Sequence, residues 1–265
     1  MTDWLAVCRS AAEDVQAVLA ALPTRAEREP VLADGAGGDE TTAIDRAAEA
    51  AVVARFRDLD TTIVSEEVGR LGDGGTLVVI DPIDGSLNAK RGIPFFSLSI
   101  AIAGGETMDD VELAFVHDFG TGEEWTATRG QGAWLNAQPL GAERPKDRIE
   151  ILSFEATRTA LVARNAPNVV GLAHRLRIMG SLALSLCHLA AGRVDGVCSL
   201  KPARAVDIAA GQLLCREVGL CVELFDVEAP FGAAPLDLEG RSRVAAAGTP
   251  ELCRTIADAL SAPQG

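Results

Sequence analysis

Residues 77–86 read Leu-Val-Val-Ile-Asp-Pro-Ile-Asp-Gly-Ser, and this stretch decides the fold. Its four apolar, β-favouring residues, 77–80, predict a buried strand that ends directly before Asp81. A proline and a glycine then favour a tight turn, which brings Asp81 and Asp84 close together. Two carboxylates at the end of a buried strand repel each other and lose hydration, and a hard divalent cation removes both penalties. Gly85 and Ser86 allow backbone N–H groups to face an anion, so the stretch predicts a metal site beside a phosphate site.

The composition is that of an acidic globular protein. The chain has 265 residues, of which 48% are apolar and 23% charged, and its formal net charge is −14. This length allows one large domain or two coupled lobes, with aliphatic side chains filling the core because the chain has no Tyr. The negative charge argues against a nucleic-acid partner. It leaves phosphate chemistry open, because an acidic protein can hold an anion through metal ions.

Cysteine usage and the first residues indicate the compartment. The six cysteines form no C-x-x-C pair and lie mostly in apolar runs, which predicts buried thiols in a reducing compartment. The first twenty residues carry Asp3, Glu13 and Asp14 within a helical pattern, unlike a signal peptide. No uncharged run approaches the ~18 residues that a membrane span needs. We therefore expect a cytoplasmic protein that binds no membrane.

Hydrophobic periodicity predicts an α/β protein of two lobes. Residues 1–148 form an α+β lobe with a mainly antiparallel sheet, built from helices over 2–22 and 44–56 and strands over 61–65, 77–80, 95–103, 111–117, 124–128 and 132–135. Residues 149–265 form an α/β lobe, with helices over 182–191, 207–218 and 250–260 and strands over 149–154, 194–200, 220–224 and 244–247. Residues 68–76 are predicted as a turn. Residues 35–39 are either a loop over a site or a plain linker.

Further residues stand where sites often form, and each also has a structural explanation. Glu66 follows a predicted strand and precedes another glutamate, and such adjacent acids are often only solvated. Asp45 lies in the first turn of a predicted helix, where a carboxylate stabilises the helix dipole. Asp207 begins a helix that it could simply cap. Gly180 and Ser181 begin another predicted helix, whose N-terminus is able to face an anion.

The order of these acidic motifs resembles the inositol monophosphatase family, within the lithium-sensitive and fructose-bisphosphatase phosphatase superfamily. One motif covers residues 80–88, Ile-Asp-Pro-Ile-Asp-Gly-Ser-Leu-Asn, and Gly-Ile-Pro-Phe follows at 92–95. A second covers residues 206–211, Val-Asp-Ile-Ala-Ala-Gly, with Glu217 and Gly219 downstream. Shorter matches are Gly-Gln-Gly-Ala at 130–133, Leu-Asn at 135–136 and Gly-Ser at 180–181.

Several details look like the archaeal-type members, which hydrolyse both inositol monophosphate and fructose 1,6-bisphosphate. They are Gly35-Ala36, Thr41, Ile44-Asp45, Ser65-Glu66-Glu67 and Val206, where animal enzymes usually carry Trp. The resemblance covers nearly the whole chain. It implies a layered αβαβα sandwich and a homodimer, which is the usual assembly in the family.

The resemblance also implies a site that holds two or three Mg²⁺ ions. Glu66, Asp81 and the carbonyl of Ile83 would hold one ion. Asp81, Asp84 and Asp207 would hold a second, which makes Asp81 the bridging ligand. Cations in such a site lower the pKa of a bound water and neutralise phosphoryl oxygens.

Catalytic roles follow from the same resemblance. Glu66, with Asp45 and Ser86 nearby, would orient the attacking water. The phosphate would rest on the N–H groups of Gly85 and Ser86. The family's usual threonine is replaced by Ser86, which keeps the hydroxyl, so we expect its role to survive.

Substrate recognition is expected in the second lobe, around Gly180, Ser181, Leu200 and Lys201. Leu200 stands where inositol-specific members carry a glutamate that binds sugar hydroxyls, and leucine cannot accept those hydrogen bonds. This departure argues against a dedicated inositol phosphatase. Four cationic residues are predicted near the cleft, where they either meet a second phosphate or are surface charges: Arg91, Arg177, Lys201 and Arg204.

The sequence therefore predicts a Mg²⁺-dependent phosphatase of a small phosphorylated metabolite, with fructose 1,6-bisphosphate and inositol 1-phosphate as the first substrates to test. Histidinol phosphate and a 3′-phosphoadenosine nucleotide are alternative substrates. A different class of function is protein interaction with the transcription machinery, through which one relative of the family acts. The presence of every expected metal ligand favours catalysis.

Overall fold

The first part of the chain builds one large sheet with helices on it. The structure, a computed structural model, describes residues 2–36, 40–141, 146, 148–155 and 158–261. The helices of the first part are α1 (Trp4–Ala21), α2 (Arg25–Arg28), α3 (Ala43–Phe56) and α4 (Ser86–Arg91). Its strands are β1 (Val31–Asp34), β2 (Glu40–Thr42), β3 (Thr61–Ser65), β4 (Gly69–Leu71), β5 (Thr76–Asp84), β6 (Ser97–Ala103), β7 (Val111–Asp118), β8 (Glu124–Thr128), β9 (Gly132–Leu135) and β10 (Gln138–Pro139).

The first sheet has the strand order β10-β9-β8-β7-β6-β5-β3-β4, while β1 and β2 form a separate ribbon. Its neighbouring strands are antiparallel except for β3 and β5, which run parallel. The carboxyl ends of β3 and β5 therefore lie at the same edge of the sheet. This edge brings the acid that follows β3 and the acids at the end of β5 together.

The second part of the chain builds a mixed sheet. Its strands are β11 (Ile149–Glu155), β12 (Ala173–Arg177), β13 (Gly196–Ser199), β14 (Cys221–Leu224) and β15 (Val244–Ala247). Its helices are α5 (Thr159–Asn165), α6 (Leu182–Ala190), α7 (Ala205–Glu217) and α8 (Pro250–Ser261). The order is β12-β11-β13-β15-β14, with β11 parallel to both of its neighbours and β15 antiparallel to both of its own.

The two sheets alternate with helices in five layers, in the order α1 and α3, first sheet, α6 and α7, second sheet, α5 and α8. Residues 77–80 of β5 are all apolar because both faces of the strand are buried there. Leu77 and Val79 pack into the central core with α6 and α7, whereas Val78 and Ile80 pack against α1 and α3. Among the described residues, none of the helices combines the length and the apolar character that crossing a membrane requires.

The structure corrects the predicted elements mainly at sheet edges. The predicted turn over 68–76 is wrong in part, because it contains β4, and β12 was not predicted at all. Both strands lie at an edge of their sheet, where half-exposed polar side chains hide the alternation that identifies a strand. The strand predicted from Phe95 begins at Ser97, because the carbonyl of Phe95 accepts the side-chain amide of Asn88 instead of a sheet bond.

The prediction for the glycine-rich loop over 35–39 concerns residues 37–39, which lie outside the described residues. The predicted lobe boundary at residue 148 falls between the first sheet and the second sheet. The division into two coupled lobes, residues 1–148 and 149–265, stays a prediction.

Candidate active site

The end of β5 holds the two acids of the central motif at one place. Asp81 pairs in register with Ser99 of β6, Asp84 pairs with Ser97, and the register shifts between the two pairs. This irregularity turns β5 while keeping both acids in the sheet edge. Asp81 is 2% exposed, and its Oδ1 accepts the backbone N–H of Ile83 at 3.0 Å.

Asp84 reaches across to the second part of the chain. Its Oδ2 accepts the hydroxyl of Ser181 at 2.5 Å and the backbone N–H of Ala183 at 2.7 Å. Ser181 in turn caps α6, because its Oγ accepts the N–H of Leu184. The N-terminus of α6 therefore does face an anion, as the sequence predicts, but the anion is the carboxylate of Asp84.

Glu66 and Asp207 both pair with the guanidinium of Arg204. The Nη2 atom of Arg204 is 2.6 Å from Glu66 Oε1 and 3.2 Å from Asp207 Oδ1. The backbone N–H of Arg204 also donates to Asp207 Oδ2 at 2.7 Å, which fixes Asp207 in the first turn of α7. Arg204 is 7% exposed, so this ion pair is largely shielded from solvent.

The pKa values of these acids indicate uncompensated negative charge. Burial raises the pKa of Glu66 to about 7, with Arg204 opposing the shift and Asp207 adding to it. Burial also raises the pKa of Asp84 to about 7, and the charge of Asp207 contributes in the same direction. The pKa of Asp81 is raised by burial and then by the charges of Glu66, Asp84 and Asp207. Burial and the neighbouring carboxylates thus raise the pKa values of Glu66, Asp81 and Asp84 in spite of the nearby guanidinium.

Asp45 lies in the first turn of α3, and only one of its two carboxylate oxygens has hydrogen-bond partners among the described residues. Its Oδ2 accepts the backbone N–H of Thr42 at 3.0 Å and the Thr42 hydroxyl at 2.6 Å, and Lys90 Nζ is 3.2 Å away. Its Oδ1 is buried and, within the part of the chain that the structure describes, accepts no hydrogen bond. A buried acceptor of this kind is costly unless a ligand or water fills it.

Gly85 closes the turn after Asp84 and begins α4. Its φ of +92° lies in the left-handed region, and a Cβ there would be 3.1 Å from the carbonyl oxygens of Phe95 and Gly180. Only glycine fits this approach. The next residue, Ser86, donates its hydroxyl to the carbonyl of Ile83 at 3.0 Å, so the turn is braced from within.

The four acids suit a hard divalent cation in type but not in their present arrangement. Within the described ranges, no three His, Cys, Asp or Glu side chains are placed to hold a metal ion together. Arg204 occupies oxygen atoms of both Glu66 and Asp207, and Asp84 is turned toward α6. Their oxygen donors and excess negative charge nevertheless fit such an ion, since it would provide the charge that one guanidinium does not.

The model of the Inositol monophosphatase family matches residues 4–262 of this chain, nearly its full length. This chain belongs to the inositol monophosphatase family. The family and the names of its relatives indicate phosphatase activity, so the predicted family and enzyme class are confirmed.

Two relatives and one solved structure illustrate the similarity. The chain is 33% identical over 272 residues to a fructose-1,6-bisphosphatase/inositol-1-monophosphatase from Methanothermobacter thermautotrophicus, covering 97% of this chain and 96% of that protein. It is 40% identical over 191 residues to a Nus factor SuhB from Pasteurella multocida, covering 68% and 70%. The solved structure of the MJ0109 gene product, an inositol monophosphatase–fructose 1,6-bisphosphatase, has a TM-score of 0.85 at 26% identity and covers 97% of this chain and 100% of its own. The predicted fold class is thereby confirmed.

A cleft of about 130 Å³ opens beside the acids of this inositol monophosphatase family member. Among the residues that line it are Asp84, Gly180, Lys201, Arg204 and Asp207. The structure thus brings two predicted metal ligands to the same cavity as three residues predicted to bind substrate.

Other predicted substrate residues lie elsewhere. Leu200 is 4% exposed and packs in the core between the second sheet and α8, while its neighbours Ser199 and Lys201 line the cleft. Arg177 is exposed at the end of β12, where its Nη1 donates to the carbonyl of Leu176. The structure therefore places the side chain of Leu200 outside the cleft.

The predicted second-phosphate residue Arg91 pairs with a carboxylate near the surface. Its guanidinium is 2.7 Å from Glu29, and its side chain is 45% exposed. Arg204 lies within the cluster, but it contacts carboxylates there.

Two buried carboxylates of the site region were missed from the sequence. Glu49 is 3% exposed, and its Oε1 accepts the N–H groups of Glu67 and Val68, which fixes the turn after Glu66. Glu155 is 6% exposed and lines the cleft. The signal for Glu155 was present, because it ends an apolar strand as Asp81 does.

Proposed function

We propose that this phosphatase hydrolyses phosphate monoesters of sugars or inositols in a Mg²⁺-dependent reaction. The observation that carries the proposal is the set of four carboxylates from three separate segments, two of which pair with the one guanidinium of Arg204. Hard oxygen donors with excess negative charge beside an open cleft suit divalent cations and an anionic substrate. The names of the archaeal relatives support fructose 1,6-bisphosphate and inositol 1-phosphate as the first candidates.

Two or three Mg²⁺ ions are proposed to bind here. Glu66, Asp81 and the Ile83 carbonyl would hold one, and Asp81, Asp84 and Asp207 would hold another. When bound, such ions would neutralise phosphoryl oxygens and lower the pKa of a coordinated water. Arg204 must first release Glu66 and Asp207, because its guanidinium occupies oxygen atoms of both carboxylates.

The chain's own groups would guide the attacking water. Asp45 Oδ1 is an open, buried acceptor that can receive a hydrogen bond from that water. Thr42 and Lys90 hold the other oxygen of Asp45, so the open oxygen keeps a fixed direction. The hydroxyl of Ser86 is proposed to help orient the water, and the carboxylate of Glu66 is proposed to accept a hydrogen bond from it.

The phosphate is proposed to lie against the turn at Gly85 and Ser86. The Gly85 backbone lies close to the carbonyl oxygens of Phe95 and Gly180, and glycine has no side chain that would stand between this turn and the phosphate. Lys201 and Arg204 at the cleft would complement the anion. Arg204 can contribute only after it exchanges carboxylate oxygens for phosphate oxygens.

Asp84→Asn tests the metal assignment. Asparagine keeps the size of the side chain but removes the charge, so Mg²⁺-dependent phosphate release should fall at least 100-fold while the circular dichroism spectrum is unchanged. Asp109→Asn is the matched control, because Asp109 is an exposed acid paired with Arg216 at the surface. Near-normal turnover of Asp84→Asn would contradict the two-metal assignment.

The substrate is tested by a panel with Mg²⁺ in which released phosphate is measured. The panel contains fructose 1,6-bisphosphate, inositol 1-phosphate, histidinol phosphate and a 3′-phosphoadenosine nucleotide.

The relative named Nus factor SuhB supports a second candidate function, interaction with the transcription machinery. If the Asp84→Asn protein restored growth to cells that lack the gene, that function would be favoured over catalysis. Sedimentation velocity tests the proposed homodimer.

A further inference from the structure

A buried carboxylate of the second sheet supports the segment that contacts Asp84. Glu155 is the last residue of β11, and its Oε2 accepts the backbone N–H of Gly180 at 2.8 Å. Its Oε1 accepts the N–H of Met179 at 3.4 Å. Two serine hydroxyls, from Ser153 and Ser185, donate to the same Oε1 at 2.8 Å each. Glu155 is therefore held by four hydrogen bonds directly beneath Met179 and Gly180.

Residues 179–181 connect the two halves of the site. The Met179 carbonyl accepts the side-chain amide of Asn88 at 2.7 Å. The Gly180 carbonyl lies against Gly85, at 3.1 Å from where a Cβ would stand. The Ser181 hydroxyl donates to Asp84 at 2.5 Å. Three consecutive residues thus contact three residues of the β5–α4 turn.

We propose that Glu155 is a positioning residue for the phosphatase reaction, which sets the place of Asp84 through residues 179–181. The proposal rests on the proposed function, in which Asp84 is a metal ligand. Glu155 is proposed to contact neither the substrate nor the ion. It fixes the backbone at Gly180, and the adjacent Ser181 then fixes the carboxylate of Asp84.

Ser185 links Glu155 to the residue that holds Asp84. The one hydroxyl proton of Ser185 is shared between Glu155 Oε1 and the carbonyl oxygen of Ser181, each 2.8 Å from its Oγ, and Ser153 Oγ lies 3.0 Å away. Ser185 therefore touches both the positioning carboxylate and the residue that holds Asp84. Outer-shell partners of this kind typically change metal affinity or activity by about 10–100-fold when they are removed.

Glu155→Gln removes acceptor capacity while it keeps the size of the side chain. A glutamine amide cannot accept with its nitrogen, so either the Gly180 N–H or the serine hydroxyls lose their acceptor. We expect the Mg²⁺ concentration for half-maximal phosphate release to rise about 10–100-fold and kcat to fall, with a smaller change in KM for the substrate. Calorimetric titration of the substrate-free protein with Mg²⁺ should show the same loss of affinity.

Two further variants separate position from charge. Ser185→Ala keeps the charge of Glu155 and removes one support, so it should weaken Mg²⁺ binding in the same direction but less. It also keeps the proposal testable if Glu155→Gln does not fold. Glu150→Gln is the matched control, since Glu150 lies on the same strand but pairs with Arg175 at the surface. It should leave Mg²⁺ affinity and kcat unchanged.

The outcomes distinguish this proposal from the proposed function. If the wild-type protein releases no phosphate with Mg²⁺, the proposed function fails. If the wild type is active and both Glu155→Gln and Ser185→Ala bind Mg²⁺ with wild-type affinity, only the positioning role is overturned. A loss of Mg²⁺ affinity in Glu155→Gln alone would assign the effect to charge and would also overturn it.

Discussion

Replacing Arg204 by methionine gives the sharpest test of how the carboxylate cluster is balanced. The guanidinium is 8% exposed as a side chain, and it pairs with Glu66 and Asp207, whose side chains are 14% and 15% exposed. Methionine keeps much of the volume and removes the charge. Without Arg204, these two acids and the neighbouring Asp81 lose their counter-charge.

The expected cost can be worked from this geometry. Removing one partner of a buried ion pair destabilises a protein by about 3–5 kcal/mol. Because the pKa of Glu66 is already raised to about 7, protonation relieves part of the repulsion near neutral pH. We therefore expect a loss of about 3 kcal/mol, which for a chain of this size lowers Tm by roughly 6–12 °C.

Magnesium should reverse this loss, because the ion and the guanidinium compete for the same carboxylates. We expect the Tm of Arg204→Met to be far below wild type in EDTA and close to it in saturating Mg²⁺. If Mg²⁺ binding to the wild type costs about 1.4 kcal/mol because it breaks the Arg204 ion pair, the variant, which has no such pair, will bind Mg²⁺ about tenfold more tightly. Differential scanning calorimetry and titration calorimetry measure the two effects separately.

A surface arginine is the matched control for this experiment. Arg55 pairs with Asp14 through exposed side chains, so Arg55→Met should cost less than about 1 kcal/mol, with no dependence on Mg²⁺. An equal loss of Tm for Arg204→Met in EDTA and in Mg²⁺, together with unchanged Mg²⁺ affinity, would refute the competition. Weaker Mg²⁺ binding by the variant would refute it as well.

Three further outcomes are expected. The pKa values of Glu66 and Asp84 are raised to about 7, so in EDTA their contribution to stability is present below about pH 4 and is lost as pH rises through 7. The gain in Tm that Mg²⁺ gives should grow over the same pH range. A Tm gain independent of pH would contradict this. Leu200→Glu should destabilise the protein by about 3 kcal/mol or more in urea unfolding without shifting substrate preference, whereas Leu200→Met should cost under about 1.5 kcal/mol. Gly85→Ala should lower kcat at least about tenfold, and Gly92→Ala, with φ +71° and no neighbour within 4 Å, should show only the backbone strain.

Three of the four acids, Glu66, Asp81 and Asp84, are marked by their local sequence. Asp81 and Asp84 follow an apolar run that the structure buries on both faces, and Glu66 follows the parallel neighbour of that strand. Parallel pairing then brings the ends of both strands to one edge without further information. Asp207 required the family motif, since an acid in the first turn of a helix is equally explained as a cap.

The partners of the cationic residues could not be predicted. Arg204 and Glu66 are far apart in the chain, and a long flexible side chain can reach either a phosphate or a carboxylate. The direction of Leu200 was also hidden. It follows β13 directly, and the alternation that puts Ser199 toward the cleft sends Leu200 into the core. An alignment position near a cleft does not determine which way its side chain points.

The charge of the cluster sets the order in which its ligands can bind. Without a cation, the carboxylates around Asp81 can ionise fully only at the cost of mutual repulsion that Arg204 offsets in part, and the whole chain carries −14. A phosphate ester is repelled by these carboxylates, and the guanidinium cannot turn toward it without leaving Glu66 and Asp207 unpaired. Cations that replace the guanidinium remove both obstacles at once, because they neutralise the acids and free Arg204 for the phosphate. Metal binding should therefore precede substrate binding, with Arg204 linking the two events.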